Sequence, residues 1–434
     1  MIRKKIKKYN LPRERFVRDL TDSAETVLSE IAERPNLPKG MGYFIDLMRN
    51  VFVKQPMSST SFLSFICGGE NKKIIGTYCL MVPEELIYAA GAIPVRLCGG
   101  SYVAATIGDD FVPRDACPVV KASIGFTASN LLSFYQVCTP VIVPTTCDSK
   151  RKMAEELSKF TEVWILDVPH LKEGEVARKR WFQQIEAMKK DLEKLNNKRI
   201  QPKNLQESIH TIALAQLEAQ RLFKIRKLDF PVILGREAML VLNAYSYDTA
   251  YEWTKALAQL NNELELLYHE RRIVVGHNAP RILLAGCPLI FPNWKIPSLV
   301  EEMGAVIVVE ESCMGSRYLC NPISIAEKTM RHMMAVIAAR YLMPCICPSF
   351  SPNEDRLVKL LQLVKEFKVD GIIYHVLKGC ILYDFEFFRV EKTMKEKGIP
   401  ILRLETDYSF EDVEQIRTRV EAFIEMLERR KLKK

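Results

Sequence analysis

Residues Lys73 to Gly100 read KIIGTYCLMVPEELIYAAGAIPVRLCGG, and the punctuation of this stretch decides the fold. Ile74 and Ile75 belong to a short apolar strand that ends at Cys79. Pro83 opens a helix whose first turn holds Glu84 and Glu85, carboxylates that complement the positive end of the helix dipole. Gly91 stops that helix. A second apolar strand, Ala92 to Leu97, then ends at Cys98. The order is strand, thiol, helix, glycine, strand, thiol. In open parallel sheets, ligands gather at the edge where strands hand over to loops.

The same design returns in the second half of the chain. Arg281 to Cys287, RILLAGC, is again a short apolar strand ending in a thiol. A helix predicted from Pro297 to Met303 follows, then Gly304, then a strand from Ala305 to Val309 leading to Cys313. VIVPTTCD, carrying Cys147, parallels GIIYHVLKGC, carrying Cys380. The strands VWILDVPH with Asp167 and ILRLETDY with Asp407 also correspond. This pattern predicts an α/β fold built from two copies of one parallel-sheet unit, over residues 73–174 and 276–434. Residues 1–72 read as a helical segment, broken by Pro35, Pro38 and Gly40, that covers one side of the first sheet. In 175–275, Trp181, Ile185, Met188, Leu192 and Leu195 recur at spacings of three and four, an amphipathic helix. Helical stretches through Leu214–Leu228 and Tyr251–Tyr268 follow, so this segment reads as an insertion that packs and carries no chemistry.

With 434 residues the chain has room for two or three domains, and a composition of 48% hydrophobic and 26% charged residues is that of a globular protein. The net charge of +9 is spread out except at Lys4, Lys5, Lys7 and Lys8, which read as a solvated tail and not as a nucleic-acid site. No apolar run reaches the roughly 18 residues of a membrane helix. The basic start leads into Asn10, Pro12 and further charge, not into a signal-peptide core. A cytoplasmic location is the expectation, with neither membrane nor nucleic acid as partner.

Twelve cysteines in such a chain need a reason other than disulfides. Cys67 and Cys138 lie in apolar surroundings and read as core residues. Structural zinc would bring CxxC pairs, whereas this chain has only Cys345-Ile-Cys347. Thiols far apart in sequence, several of them at strand ends, suit a buried cofactor, with iron–sulfur ligation as the leading chemistry. Cys117 precedes a helix predicted from Val119 into Leu132, a favourable place for a thiolate or an anionic cluster. Glu310-Glu-Ser-Cys313-Met-Gly-Ser-Arg317 sets two carboxylates, a thiol and an arginine on one strand-end loop. Glu310 and Arg317 are candidate helpers there, or part of a solvated rim. His170 and His375 read as ordinary loop residues at strand ends. Ser409 and Asp412 read as a capping box for the last helix. Phosphate-loop, GxGxxG, HExxH and GxSxG motifs are absent.

The runs GTYCLMVPEELIYAAGAIPVRLCGG, CPVVKAS, EESCMGSRYL, PCICPSFSPNEDR, DGIIYHVLKGC and IPILRLETDYS resemble, in order across nearly the whole chain, the 2-hydroxyacyl-CoA dehydratase family and the related benzoyl-CoA reductase subunits. The resemblance implies two flavodoxin-like domains with helical additions. In the dehydratases three cysteines, which Cys79, Cys117 and Cys380 resemble, hold a [4Fe-4S] cluster with one iron left for substrate. An activator ATPase with its own [4Fe-4S] cluster injects single electrons. The additional Cys147, Cys313, Cys345 and Cys347 resemble the double-cubane branch. There six cysteines hold an [8Fe-9S] cluster in a homodimer that reduces small molecules with the same kind of activator. One of Cys345 and Cys347 is then not a ligand, and the choice between them stays open. Cys98, Cys287 and Cys320 fall outside the implied set as supporting or packing residues. The resemblance thus implies a double-cubane reductase. The alternatives are a subunit of a 2-hydroxyacyl-CoA dehydratase with a single [4Fe-4S] cluster, which would need a different partner subunit, and a non-catalytic electron-relay protein.

Overall fold

Apolar runs too short to be helices and buried on both faces build the centre of each unit, as parallel sheets require. The computed structural model describes residues 13–54, 66, 72–129, 131–132 and 134–432. Cys67 and the N-terminal lysines lie outside the described residues. Two helices come first, α1 (Arg13–Ala32) and α2 (Met41–Phe52). The first unit then runs β1 (Ile74–Thr77), α3 (Glu84–Ala89), β2 (Ile93–Arg96), α4 (Tyr102–Gly108), α5 (Pro118–Ser129), α6 (Phe134–Val137), β3 (Cys138–Pro144), α7 (Asp148–Leu157) and β4 (Val163–Leu166). The insertion comprises α8 (Glu175–Leu195), α9 (Pro202–Arg226), α10 (Gly235–Ala244) and α11 (Ala250–His269). The second unit has β5 (Arg281–Gly286), α12 (Lys295–Glu302), β6 (Val306–Glu311), α13 (Met330–Leu342), α14 (Glu354–Glu366), β7 (Gly371–Leu377), α15 (Ile381–Glu396), β8 (Ile401–Thr406) and α16 (Val413–Leu432).

Both sheets are four-stranded and parallel throughout, ordered β2-β1-β3-β4 and β6-β5-β7-β8. The identical order is the expected internal repeat, and it is the flavodoxin-like arrangement, in which ligands lie beyond the carboxyl ends of the strands. Pro94, which has no N–H to donate, is confined to the edge strand β2. Pro140 falls where the pairing of β1 with β3 skips, between Ile74 and Gly76, so its missing donor breaks no ladder bond. Gly91 and Gly304 take φ of 80° and 84° and end α3 and α12, as their positions in the repeat predict.

Three local readings need correction. His375 lies inside β7 and is 2% exposed, so it is a core residue and not part of a loop. Asp412 does not serve a capping box, because its carboxylate accepts from Lys295 Nζ at 2.6 Å and from Thr406 Oγ1 at 2.6 Å. The N-terminal helices pack mainly on each other and on helices, with α2 against α10 and Gly40 against Leu260 of α11. The insertion packs as expected: Trp181, Ile185, Met188 and Leu192 are buried, and Trp181 Nε1 donates to the Ala338 carbonyl in the second unit at 2.9 Å.

The strand-end loops of the two units meet backbone to backbone. Gly100 N donates to the Phe291 carbonyl at 3.0 Å, and a Cβ on Gly100 would stand 2.0 Å from the Ile290 oxygen. A Cβ on Gly379 would stand 2.0 Å from the Asp115 oxygen, and Gly379 has a φ of 75°. Gly398 has a comparable φ of 66° but open space around it. In urea denaturation Gly398→Ala is therefore expected to cost about 1 kcal/mol, from backbone strain alone. Gly379→Ala should cost about 1–3 kcal/mol more, from the clash across the domain junction. Equal losses in the two variants would contradict this junction.

Candidate functional site

The shared edge collects sulfur. Cys79 follows β1, Cys98 follows β2 and Cys147 follows β3. In the second unit Cys287 follows β5, Cys313 follows β6 and Cys380 follows β7. Cys117, Cys147 and Cys380 each stand immediately before a helix, α5, α7 and α15, where backbone N–H groups and the helix dipole favour negative charge. The sulfurs influence one another across the junction in a continuous chain. Cys79 is felt by Cys98, Cys345 and Cys313. Cys345 neighbours Cys347, which reaches Cys147, and Cys147 reaches Cys117. Cys117 and Cys380 act on each other, and so do Cys380 and Cys287.

Every cysteine of the predicted set therefore lies in one region, including both Cys345 and Cys347. Cys98 and Cys287, read from sequence as supporting residues, stand among them. By position in the repeat Cys98 corresponds to Cys313, and Cys287 to Cys79. Cys138 is fully buried at the start of β3, as expected of a core residue, while Cys320 stays outside the group beside Arg317. Among the described residues no three His, Cys, Asp or Glu side chains converge as a site for one metal ion.

Cys79 is held with a φ of 69°, in the left-handed region that a residue with a Cβ rarely adopts. Burial would raise the pKa of its thiol, yet the Lys150 ammonium, the Met81 N–H and the Arg96 guanidinium outweigh it and favour the thiolate. Burial raises most of the other thiols, with Cys313 pushed up to about 11 against the pull of Arg317, Lys150 and Arg96. Sequence reasoning missed Lys150 and Arg96. Lys150 falls one helical turn after Cys147, and that spacing was the available signal. Burial works against its charge, but Cys79, Cys147, Cys98 and Cys313 hold its pKa above the ordinary lysine value. Lys150 is half-buried and has no carboxylate within ion-pair distance among the described residues, and the groups that raise it are sulfurs.

Glu310 and Arg317 are both buried, which removes the solvated-rim reading. Glu310 binds Arg226 of α9 through both oxygens, at 2.9 and 2.5 Å, so its carboxylate is occupied by a structural ion pair. Arg317 does belong to the site: its charge is felt by Cys313 and Cys345. On the other wall Glu84 and Glu85 stand in the first turn of α3 as predicted, but their carboxylates are buried. Glu84 accepts from Tyr245 at 3.1 Å and from Tyr318, and Glu85 accepts from Tyr341 at 2.8 Å. Arg96 lies 3.8 Å from Glu84 and stacks over the Tyr318 ring at 3.5 Å, and its Nη1 donates to the Cys313 carbonyl. These contacts fasten the first unit to the second.

Two variants check these assignments. In metal-free protein Cys79→Gly is expected to be more stable than Cys79→Ala by about 1 kcal/mol, because only glycine relieves the left-handed backbone. Glu310→Gln should lower unfolding stability by about 3–5 kcal/mol, since it strands the buried Arg226, while any bound metal content is retained. Metal loss with unchanged stability would return Glu310 to the site.

Comparison with known proteins gives one consistent answer. A family profile described as 2-hydroxyglutaryl-CoA dehydratase, D-component, matches residues 79–427. The chain is 31% identical over 364 residues to the putative dehydratase subunit YjiM of Escherichia coli (strain K12), covering 82% of this chain and 91% of that protein. It is 25% identical over 363 residues to the (R)-phenyllactyl-CoA dehydratase beta subunit of Clostridium sporogenes, with 82% and 92% covered. To a benzoyl-CoA reductase subunit of Thauera aromatica it is 21% identical over 321 residues, with 71% and 79% covered. With its two-domain sheet edge of thiols inside the matched span, the chain belongs to the 2-hydroxyglutaryl-CoA dehydratase D-component family, among dehydratase and reductase subunits.

Proposed function

We propose that this protein is an ATP-dependent low-potential reductase that holds a double-cubane [8Fe-9S] cluster between its two domains and works as a homodimer on small molecules. The ligands would be Cys79, Cys117 and Cys147 from the first unit, with Cys313, Cys380 and one of Cys345 and Cys347 from the second. The observation that carries the reading is Lys150, a cation whose neighbours are sulfurs contributed by both units. Of the thiols around it only Cys79 is held towards its thiolate, while burial raises Cys98, Cys147 and Cys313, so a fixed cation there is suited to more negative charge than the bare thiols carry. An anionic iron–sulfur group held by thiolates matches it. When bound, that group supplies strongly reducing electrons at iron accessible to substrate. The chain's own residues hold Cys79 towards its thiolate and set Arg96, Lys150 and Arg317 against the negative charge.

The chain has no phosphate loop, so ATP hydrolysis would fall to a separate activator with its own [4Fe-4S] cluster, passing single electrons. Among the described residues no helix is long and apolar enough to cross a membrane. The described cysteines are all free thiols, which suits a reducing cytoplasm. The second reading is a 2-hydroxyacyl-CoA dehydratase subunit with one [4Fe-4S] cluster on Cys79, Cys117 and Cys380. The similarity to dehydratase relatives favours it.

Iron and acid-labile sulfide in anaerobically purified protein separate the two. About eight irons per chain, with sulfide slightly in excess, is the expected result, whereas the dehydratase reading requires about half that iron. Cys147→Ala should lose cluster and activity together. Full iron content in that variant would decide for the dehydratase.

A further inference from the structure

A cleft of about 400 Å³ runs from the surface to Cys345, between α9, α13 and α14. Its lining is strongly basic: Lys224, Lys227, Lys359, Arg340 and Arg317 against the single carboxylate of Glu366. Glu366 is taken by Lys227. Among the described residues Lys224, Lys359 and Arg340 have no carboxylate within ion-pair distance, and Arg340 spends its donors on the carbonyls of Tyr318, Cys320 and Asn321. At the floor, Arg317 is 6% exposed. Its Nε lies 3.0 Å from Glu311, its Nη2 donates to the Tyr383 hydroxyl, and its Nη1 has no hydrogen-bond partner. Glu311 is shared with Arg356 at 2.7 Å, so one buried carboxylate serves two buried guanidiniums. Burying an unpaired charge is costly unless an anion meets it.

We infer that this cleft is an anion-selective approach to the cysteine site, and that the substrate class it admits is small anions such as oxyanions or short carboxylates, docking against Arg317. The inference rests on the reductase reading for what happens beyond the floor, but not for the binding itself. A basic cleft with low-dielectric walls concentrates anions by tenfold or more. Lys224 and Lys359 stand where they would collect an incoming anion, Arg340 lies along the wall, and Arg317 lines the cleft with Cys345, its Nη1 buried without a partner. Cys320 lines the same cleft, outside the proposed ligand set, with its Sγ donating to the Arg317 carbonyl at 3.1 Å. Burial raises its thiol pKa while Arg340, Lys359 and Arg317 pull it down, so the three charges all act on it.

That thiol is a built-in reporter. Anaerobically purified full-length protein is treated at low salt with iodoacetate, an anion, or iodoacetamide, its neutral counterpart, and alkylation of Cys320 is followed by mass spectrometry. The iodoacetate-to-iodoacetamide rate ratio is expected to be about tenfold higher at folded Cys320 than in the denatured chain. It should fall towards the denatured value in 1 M salt and in the Lys224→Glu/Lys359→Glu protein. Thiocyanate should protect Cys320 and acetonitrile, its neutral linear counterpart, should not. A ratio equal to that of the denatured chain, a ratio indifferent to salt, or no alkylation by either reagent overturns the inference. So does protection by coenzyme A without protection by thiocyanate, which would assign the cleft to a nucleotide's phosphates. Iron measured on the same sample keeps the two readings apart, because iron-poor protein with the ratio intact contradicts only the cluster.

Discussion

Nine thiols brought to one place, five buried and four partly exposed, set the terms for their surroundings, because neighbouring thiolates repel one another while a protonated thiol is a poor ligand. The chain meets this condition with fixed positive charge. Lys150 stands among Cys79, Cys98, Cys147 and Cys313, Arg96 approaches Cys98 and Cys313, and Arg317 approaches Cys313 and Cys347. Each cation comes from a different element, after β3, at the end of β2 and after β6. The charge is therefore spread around the thiols and not stacked on one side. Arg96 and Arg317 also have carboxylate neighbours, Glu84 and Glu311, whereas Lys150 has none within ion-pair distance among the described residues.

Parallel topology explains why all this chemistry shares one edge. In a 2-1-3-4 sheet every strand points the same way, so every strand-end loop opens on the same side. With the two sets of loops turned towards each other, cysteines of one unit come under the influence of cysteines of the other, Cys79 with Cys313 and Cys345, and Cys147 with Cys347. The repeat is not exact in its chemistry. The first unit contributes Cys117 at the start of α5, and the corresponding place in the second unit is filled by the pair Cys345 and Cys347 before α14. Cys79 favours the thiolate, while burial pushes Cys345 the other way.

Much of this was legible in the residues. The strand–thiol–helix–glycine–strand order of 73–100 and its return at 281–313 determined the two sheets, because helix-stop glycines and strand-end positions are local signals. The site cysteines were legible for the same reason. What escaped was non-local. Glu310 looked like a candidate helper because it neighbours Cys313 in sequence, yet along a strand successive side chains point to opposite faces, and its partner Arg226 lies in an insertion that shows no chemistry of its own. Glu84 and Glu85 had a sufficient local explanation in the helix dipole, which hid their role as acceptors for Tyr245, Tyr318 and Tyr341. Cys98 and Cys287 were set apart because the resemblance did not include them, although their strand-end positions were as good as those of Cys79 and Cys313.

Neither unit alone encloses the thiols, so the site exists only while the units are docked, and the docking contacts tolerate little slack. Gly100 and Gly379 press against opposing backbone with no room for a Cβ. Tyr247 and Tyr135 donate to the carbonyls of Cys98 and Leu97, and Arg96 donates to that of Cys313, so the thiol-bearing loops are themselves tied to the neighbouring structure. Buried hydrogen bonds of this kind are costly to break one at a time. Opening the junction to admit a reactant would break several of them together and would wet the cations that balance the sulfurs. A reactant is better served by a passage that leaves the junction closed. The cleft between α9, α13 and α14 is such a passage, since it reaches Cys345 from the side of the second unit without separating the two sheets.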